Sequence, residues 1–168
     1  MTDFYIFRHG DTKDSGSLIT RFIGRSGDTR KLPIIPKSFP ALERIGAFLK
    51  NIPTDADFCS PFVRCVTSAE IVGKISGKTY KKDSRIAEFE KNGEKFSHLN
   101  ARVRDFLTEI EQEKYSSVSI CTHGAVISAL KHLATNGKFH FFQIWDFPSP
   151  GNLVIIKGKK IETINFNT

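Results

Sequence analysis

The chain has 168 residues, 39% of them hydrophobic and 26% charged, which excludes a disordered, fibrous or disulfide-built protein and suits one domain spanning 1–168 with one sizeable core. Its 25 Lys+Arg against 18 Asp+Glu, a net +7, favour anionic partners, and phosphorylated metabolites and nucleic acid qualify equally on charge alone. The first residues lack the basic start and apolar stretch of a signal peptide and no run is long enough to cross a bilayer, so a soluble, cytoplasmic protein without membrane contact is expected.

In chain order, residues 3–7 are apolar without alternation, the pattern of a central parallel strand buried on both faces. It ends in Arg8-His9-Gly10-Asp11-Thr12. Residues 13–38 carry glycines, prolines and polar residues with no sustained period, and a loop of that length after the first strand is expected to form a wall or lid of a site. Leu42, Ile45, Phe48 and Leu49 recur at helical spacing. A second strand is expected at 56–59, followed by Ser60-Pro61 as N-cap and first residue of a helix whose apolar positions are Phe62, Val66, Ala69 and Val72. Arg64 then falls in the opening turns, off that face.

A third strand is expected at 79–81, with Glu88 beyond it. Leu99, Val103, Phe106, Leu107 and Ile110 mark the clearest helix face in the chain. The strand at 118–121 leads into Thr122-His123-Gly124 and a helix carrying Val126, Ala129, Leu130 and Leu133. Strands at 152–156 and 161–165 are expected to close the chain as a hairpin. The alternation predicts an α/β fold, an open and mostly parallel sheet with helices on both faces. The cysteines Cys59, Cys65 and Cys121, odd in number and set among apolar residues, read as buried thiols.

In such a sheet the ligand sits outside the carboxyl ends of the strands. Two arginines, two histidines and a carboxylate meet there. Arg8 and Arg64 can hold phosphoryl oxygens through forked, permanently charged guanidinium groups. Neutral His9 can attack phosphorus in line, and His123 can donate to the same oxygens. The helix that Gly124 opens directs its first peptide N–H groups at the same place. A leaving alkoxide needs a proton, for which Glu88 is the best-placed acid, with Glu90 and Asp11 as alternatives.

Other readings are weaker. Two histidines and a carboxylate suit zinc, but Arg8 and Arg64 beside a dication argue against it. The basic stretches Lys78 to Lys82 and Lys157 to Lys160 lack interleaved stacking aromatics beyond Tyr80, so no nucleic-acid role is assigned. His98, His132 and His140 have no partner pattern.

The ordered set Arg8-His9-Gly10, Ser60-Pro61 with Arg64, Ala87-Glu88 and Thr122-His123-Gly124 resembles the histidine phosphatase superfamily in its phosphoglycerate-mutase-like branch, over nearly the whole chain. That resemblance implies a three-layer α/β/α sandwich, a phosphohistidine intermediate on His9, phosphate contacts from Arg8, Arg64 and His123, Glu88 as proton donor, and no metal or cofactor. Asp11 stands where the family commonly has Glu, and Ser15 where an Asn often helps hold phosphate. Leu32-Pro33-Ile34-Ile35-Pro36 departs from the family pattern, whereas Pro150-Gly151-Asn152 looks like the approach to its last strand.

The chain lacks the extra length typical of glycolytic phosphoglycerate mutases. Hydrolysis of a small phosphorylated metabolite is therefore expected ahead of mutase transfer, with a phosphohistidine protein phosphatase as a second possibility. A non-catalytic module binding phosphorylated ligands or RNA is the competing class.

Overall fold

The computed structural model describes residues 1–13, 28–90 and 93–168. Six strands form one sheet: β1 (Asp3–Arg8), β2 (Ala56–Cys59), β3 (Lys81–Lys82), β4 (Ser117–Thr122), β5 (Asn152–Lys157) and β6 (Lys160–Asn165). Their order is β3-β2-β4-β1-β5-β6. The first four run parallel, while β5 and β6 are antiparallel and form the expected hairpin on the β1 edge.

Four helices cover the sheet: α1 (Phe39–Leu49), α2 (Val63–Ser76), α3 (Phe96–Gln112) and α4 (Gly124–Asn136). Successive strand residues face opposite sides, so each central strand feeds two cores. Phe4, Ile6, Val118, Ile120, Val154 and Ile156 pack with Leu99, Val103 and Phe106 of α3 and Ile127 and Leu130 of α4. Tyr5, Phe7, Cys121, Leu153 and Ile155 pack on the other side with Leu42 and Ile45 of α1 and Cys65, Ala69 and Val72 of α2. This is the three-layer α/β/α sandwich, and the continuous apolar runs of β1 and β4 are what a doubly covered strand requires. All three cysteines are buried free thiols.

Two expected boundaries move. The third strand pairs through Lys81 and Lys82, not 79–81. The apolar signal there came from Tyr80, whose ring meets Phe7 edge-on at 5.9 Å while its hydroxyl bonds Ser119 Oγ at 2.8 Å. The helix after β2 begins at Val63, with Phe62 as an extended N-cap residue. Ser60 and Pro61 therefore precede it, because the Ser60 hydroxyl is engaged elsewhere.

Of the long segment before α1, residues 28–38 form 3₁₀ turns at Thr29–Lys31 and Pro36–Ser38. Ser15 and the rest of 14–27 lie outside the described residues. No helix among the described residues is long and apolar enough to cross a membrane.

Candidate active site

The register of the central strands decides what meets. Arg8 pairs with Thr122 and Cys59 with Cys121, so the residues that follow β1, β2 and β4 emerge side by side at the carboxyl edge. The His9 N–H bonds the Thr122 carbonyl at 3.1 Å and the Ser60 N–H bonds the Cys121 carbonyl at 3.0 Å. The imidazoles of His9 and His123 consequently lie 5.1 Å apart, centroid to centroid.

Arg64, fully buried on the first turn of α2, is the hub. Its Nε donates to His9 Nε2 at 3.1 Å, its Nη2 donates to Glu88 Oε2 and His123 Nδ1 at 3.2 Å each, and its Nη1 donates to the Thr29 carbonyl. A guanidinium cannot accept, so both imidazole nitrogens that face it present lone pairs. On the far side of the His9 ring, Nδ1 lies 2.8 Å from the Gly10 carbonyl and is the donor there. His9 is thereby set as the Nδ1–H tautomer with its Nε2 lone pair turned toward the arginine.

Glu88 lies 3.4 Å from His123 Nδ1 as well as 3.2 Å from Arg64, with its Oε1 accepting from the Phe89 N–H at 3.2 Å. Ligand atoms of His9, Glu88 and His123 fall within 4.8 Å of one another, a spacing a cation could use. The Arg64 guanidinium bonds all three, so the positive charge at their centre is already supplied by the chain, and a dication would have to share it.

Further polar contacts hold these groups in place. Ser68 Oγ accepts from the Gly10 N–H at 2.9 Å and donates to the Arg64 carbonyl at 2.6 Å, tying the turn of His9 to the helix of Arg64. Thr122 Oγ donates to the Ile86 carbonyl at 2.6 Å. Arg102 on α3 donates to the Arg85 and Glu88 carbonyls at 2.6 and 3.3 Å and is itself fixed by Glu94. The segment that carries Glu88 is thus held from two sides.

Both glycines that follow the histidines are required by close approach. A Cβ on Gly10 would stand 2.7 Å from Ser38 Oγ, and one on Gly124 would stand 2.7 Å from the Phe147 ring. Phe147 also lies beneath the Arg8 guanidinium, 4.9 Å from carbon to ring centroid, a cation–π contact. Behind the site, burial pushes the Cys59 thiol up to about 11 and Cys121 well above its ordinary value, so both are neutral packing groups at neutral pH.

The sequence matches the histidine phosphatase superfamily (branch 1) over residues 4–91 and 82–162. The chain belongs to this superfamily. No curated protein sequence matches it. Among solved structures it resembles YhfR of Bacillus stearothermophilus, at 18% identity and TM-score 0.76 with both chains fully covered. It also resembles the alpha-ribazole phosphatase of Shigella flexneri, at 16% identity and TM-score 0.74 over 99% of this chain and 96% of that one. The phosphoglycerate mutase of Bacillus anthracis aligns at 14% identity and TM-score 0.69 over 99% and 92%.

In this superfamily member Arg64 bonds His9, Glu88 and His123, and Arg8 and Gly124 both lie against Phe147. Glu90 is exposed, and Glu88 is the acid whose carboxylate lies 3.4 Å from His123 Nδ1. His132 pairs with Asp146 at 2.9 Å, a role no sequence pattern indicated. Ser68, Arg102 and Phe147 were also missed. Ser68 and Arg102 sit one turn from noticed residues, at i+4 from Arg64 and i+3 from Leu99, and only that spacing could have flagged them.

Proposed function

We propose that the chain is a phosphomonoesterase that passes the phosphoryl group of a small metabolite first to Nε2 of His9 and then to water. The observation that carries this reading is the tautomer imposed on His9: Nδ1–H is tied to the Gly10 carbonyl and the Nε2 lone pair is aimed at Arg64. A phosphoryl group bound to that guanidinium would meet the lone pair directly. Membership of the superfamily supports the same chemistry, and the alpha-ribazole phosphatase of similar fold supports a small phosphorylated substrate.

The steps balance without other reactants. The Nε2 lone pair forms the N–P bond as the ester P–O bond breaks, and the carboxyl proton of Glu88 passes to the leaving oxygen. Water then attacks phosphorus and gives a proton to the Glu88 carboxylate, and the N–P electron pair returns to His9 as phosphate departs. Arg8, Arg64, His123 and the first peptide N–H groups of α4 hold the non-bridging oxygens, where preorganised donors each supply about 10²–10³ in rate.

Phosphate release from a panel of phosphomonoesters tests the reading. His9→Ala is expected to lose at least about 10⁴-fold in turnover. Glu88→Gln should lose about 10²–10⁴-fold on alkyl esters and far less on aryl esters, whose leaving groups need little protonation. Wild-type activity in His9→Ala would overturn the covalent route. Isomerised product outpacing released phosphate, when a bisphosphate is added, would replace hydrolysis by transfer.

A further inference from the structure

Ser60 occupies a place that its sequence context does not announce. Ahead of a proline and a helix it reads as an N-cap, yet its hydroxyl accepts only a long 3.4 Å contact from the Phe62 N–H. The short bond runs to His123, whose Nε2 lies 2.7 Å from Ser60 Oγ. Both residues are fully buried.

The direction of that bond follows from its neighbours. Two groups face His123 Nδ1: Arg64 Nη2 at 3.2 Å, which can only donate, and Glu88 Oε2 at 3.4 Å, which leaves Nδ1 its lone pair when the Glu88 carboxyl carries its proton. The shorter contact sets Nδ1 as the acceptor. The ring proton of a neutral His123 is then on Nε2 and is donated to Ser60 Oγ. Cys65 Sγ is the other neighbour of Nε2, at 3.4 Å, and a thiol is a poor partner beside a hydroxyl.

This arrangement must change during catalysis. A phosphoryl oxygen that takes the place of Arg64 Nη2 at Nδ1 needs a donor there, not a lone pair. The ring meets that need either by gaining a second proton, with Ser60 still accepting from Nε2–H, or by moving its proton to Nδ1 while the Ser60 hydroxyl rotates and donates to Nε2. A hydroxyl serves both states because it donates and accepts.

We infer that Ser60 is a positioning residue that controls the proton of His123, keeping Nδ1 an acceptor toward Arg64 and letting it become a donor toward a phosphoryl oxygen. The catalytic half of this inference rests on the phosphatase reading above. The tautomer half rests on the Arg64 contact, the shorter of the two at Nδ1.

The experiment is nitrogen-15 NMR of the His123 ring in the full-length chain, with and without inorganic phosphate, beside steady-state kinetics of Ser60→Ala and Ser60→Thr. In phosphate-free buffer wild-type His123 is expected to carry its proton on Nε2, and added phosphate should protonate Nδ1. Ser60→Ala should lose about 10- to 100-fold in kcat/KM, the effect of stripping a buried polar group of its partner, and should alter the ring resonances. Ser60→Thr, which keeps the hydroxyl, should restore the resonance pattern and most of the rate.

An Nδ1 proton on wild-type His123 without phosphate would overturn the inference whatever the variants do. So would unchanged resonances and full kcat/KM in Ser60→Ala. Failure of the phosphatase reading is distinct: the wild type would turn over no ester while the Nε2 proton was still observed.

Discussion

At the carboxyl ends of β1, β2 and β4 a buried guanidinium donates to two imidazoles and one carboxylate, whereas at the opposite end of the sheet a nearly buried ammonium is closed in by its own surroundings. There Lys78 Nζ donates to the Ile52 carbonyl at 2.8 Å and to Thr54 Oγ at 2.6 Å. Thr54 Oγ donates in turn to Asp57 at 2.7 Å, and Asp57 stands 4.0 Å from the ammonium. The two clusters bury similar charge to different ends. Lys78 meets a carbonyl, a hydroxyl and an acid within one neighbourhood and has little to gain from a ligand. Arg64 also meets an acid and a carbonyl, Glu88 and Thr29, but its Nε and one bond of its Nη2 go to imidazole lone pairs, which a dianionic phosphoryl group would outmatch as acceptors because charge-assisted bonds are about twice as strong as neutral ones.

Breaking the first cluster should therefore abolish function. Arg64→Ala is expected to cost at least about 10³-fold in kcat/KM, and Arg64→Lys should not rescue it, because an ammonium cannot reach His9, His123 and Glu88 at once. A lysine variant within tenfold of wild type would mean that charge alone matters and the forked geometry does not.

Breaking the second should cost stability and nothing else. Lys78→Met leaves Asp57 and Thr54 short of a partner and should lower the unfolding free energy by about 1–3 kcal/mol in urea denaturation. Its kcat/KM should stay within twofold of wild type. A large activity loss in a stably folded Lys78→Met would make the far end part of the functional machinery.

The smallest effect sharpens the contrast near the site itself. Burial would raise the Asp83 carboxyl, but hydrogen bonds from Arg85 outweigh it and hold the group below its ordinary value. A carboxyl depressed in the folded state contributes stability that is fully present above its unfolded value and lost as pH falls through the folded one. Asp83→Asn should therefore cost about 0.5–1 kcal/mol at pH 7, and the gap from wild type should close as pH falls below the ordinary aspartate range and through the depressed folded value. Equal gaps at neutral pH and below that value would show that the carboxylate charge plays no part.

Much of this was legible in the sequence because it depends on local rules. Unbroken apolar runs marked β1 and β4, and helical spacing marked α1, α3 and α4. The strand-end positions of His9, Glu88 and His123 followed from the topology those elements imply. What was not legible depends on contacts between distant residues. Ser60 looked like a helix cap because nothing near it in the chain shows that His123, 63 residues later, lies at 2.7 Å from its hydroxyl. Tyr80 drew the third strand two residues early because a side chain buried against Phe7 mimics a strand signal. Arg102 stood out in no sequence pattern, yet it holds the carbonyls around Glu88.

The central claim is that His9 Nε2 is the atom that takes the phosphoryl group. Intact-protein mass spectrometry after brief mixing with a phosphomonoester, followed by site mapping, tests it most directly. An acid-labile phosphoryl adduct on His9 of the wild type, absent from His9→Ala and formed while phosphate is released, is the predicted result. Phosphate released by the wild type with no adduct at any quench time, or with an adduct on another residue, would contradict it.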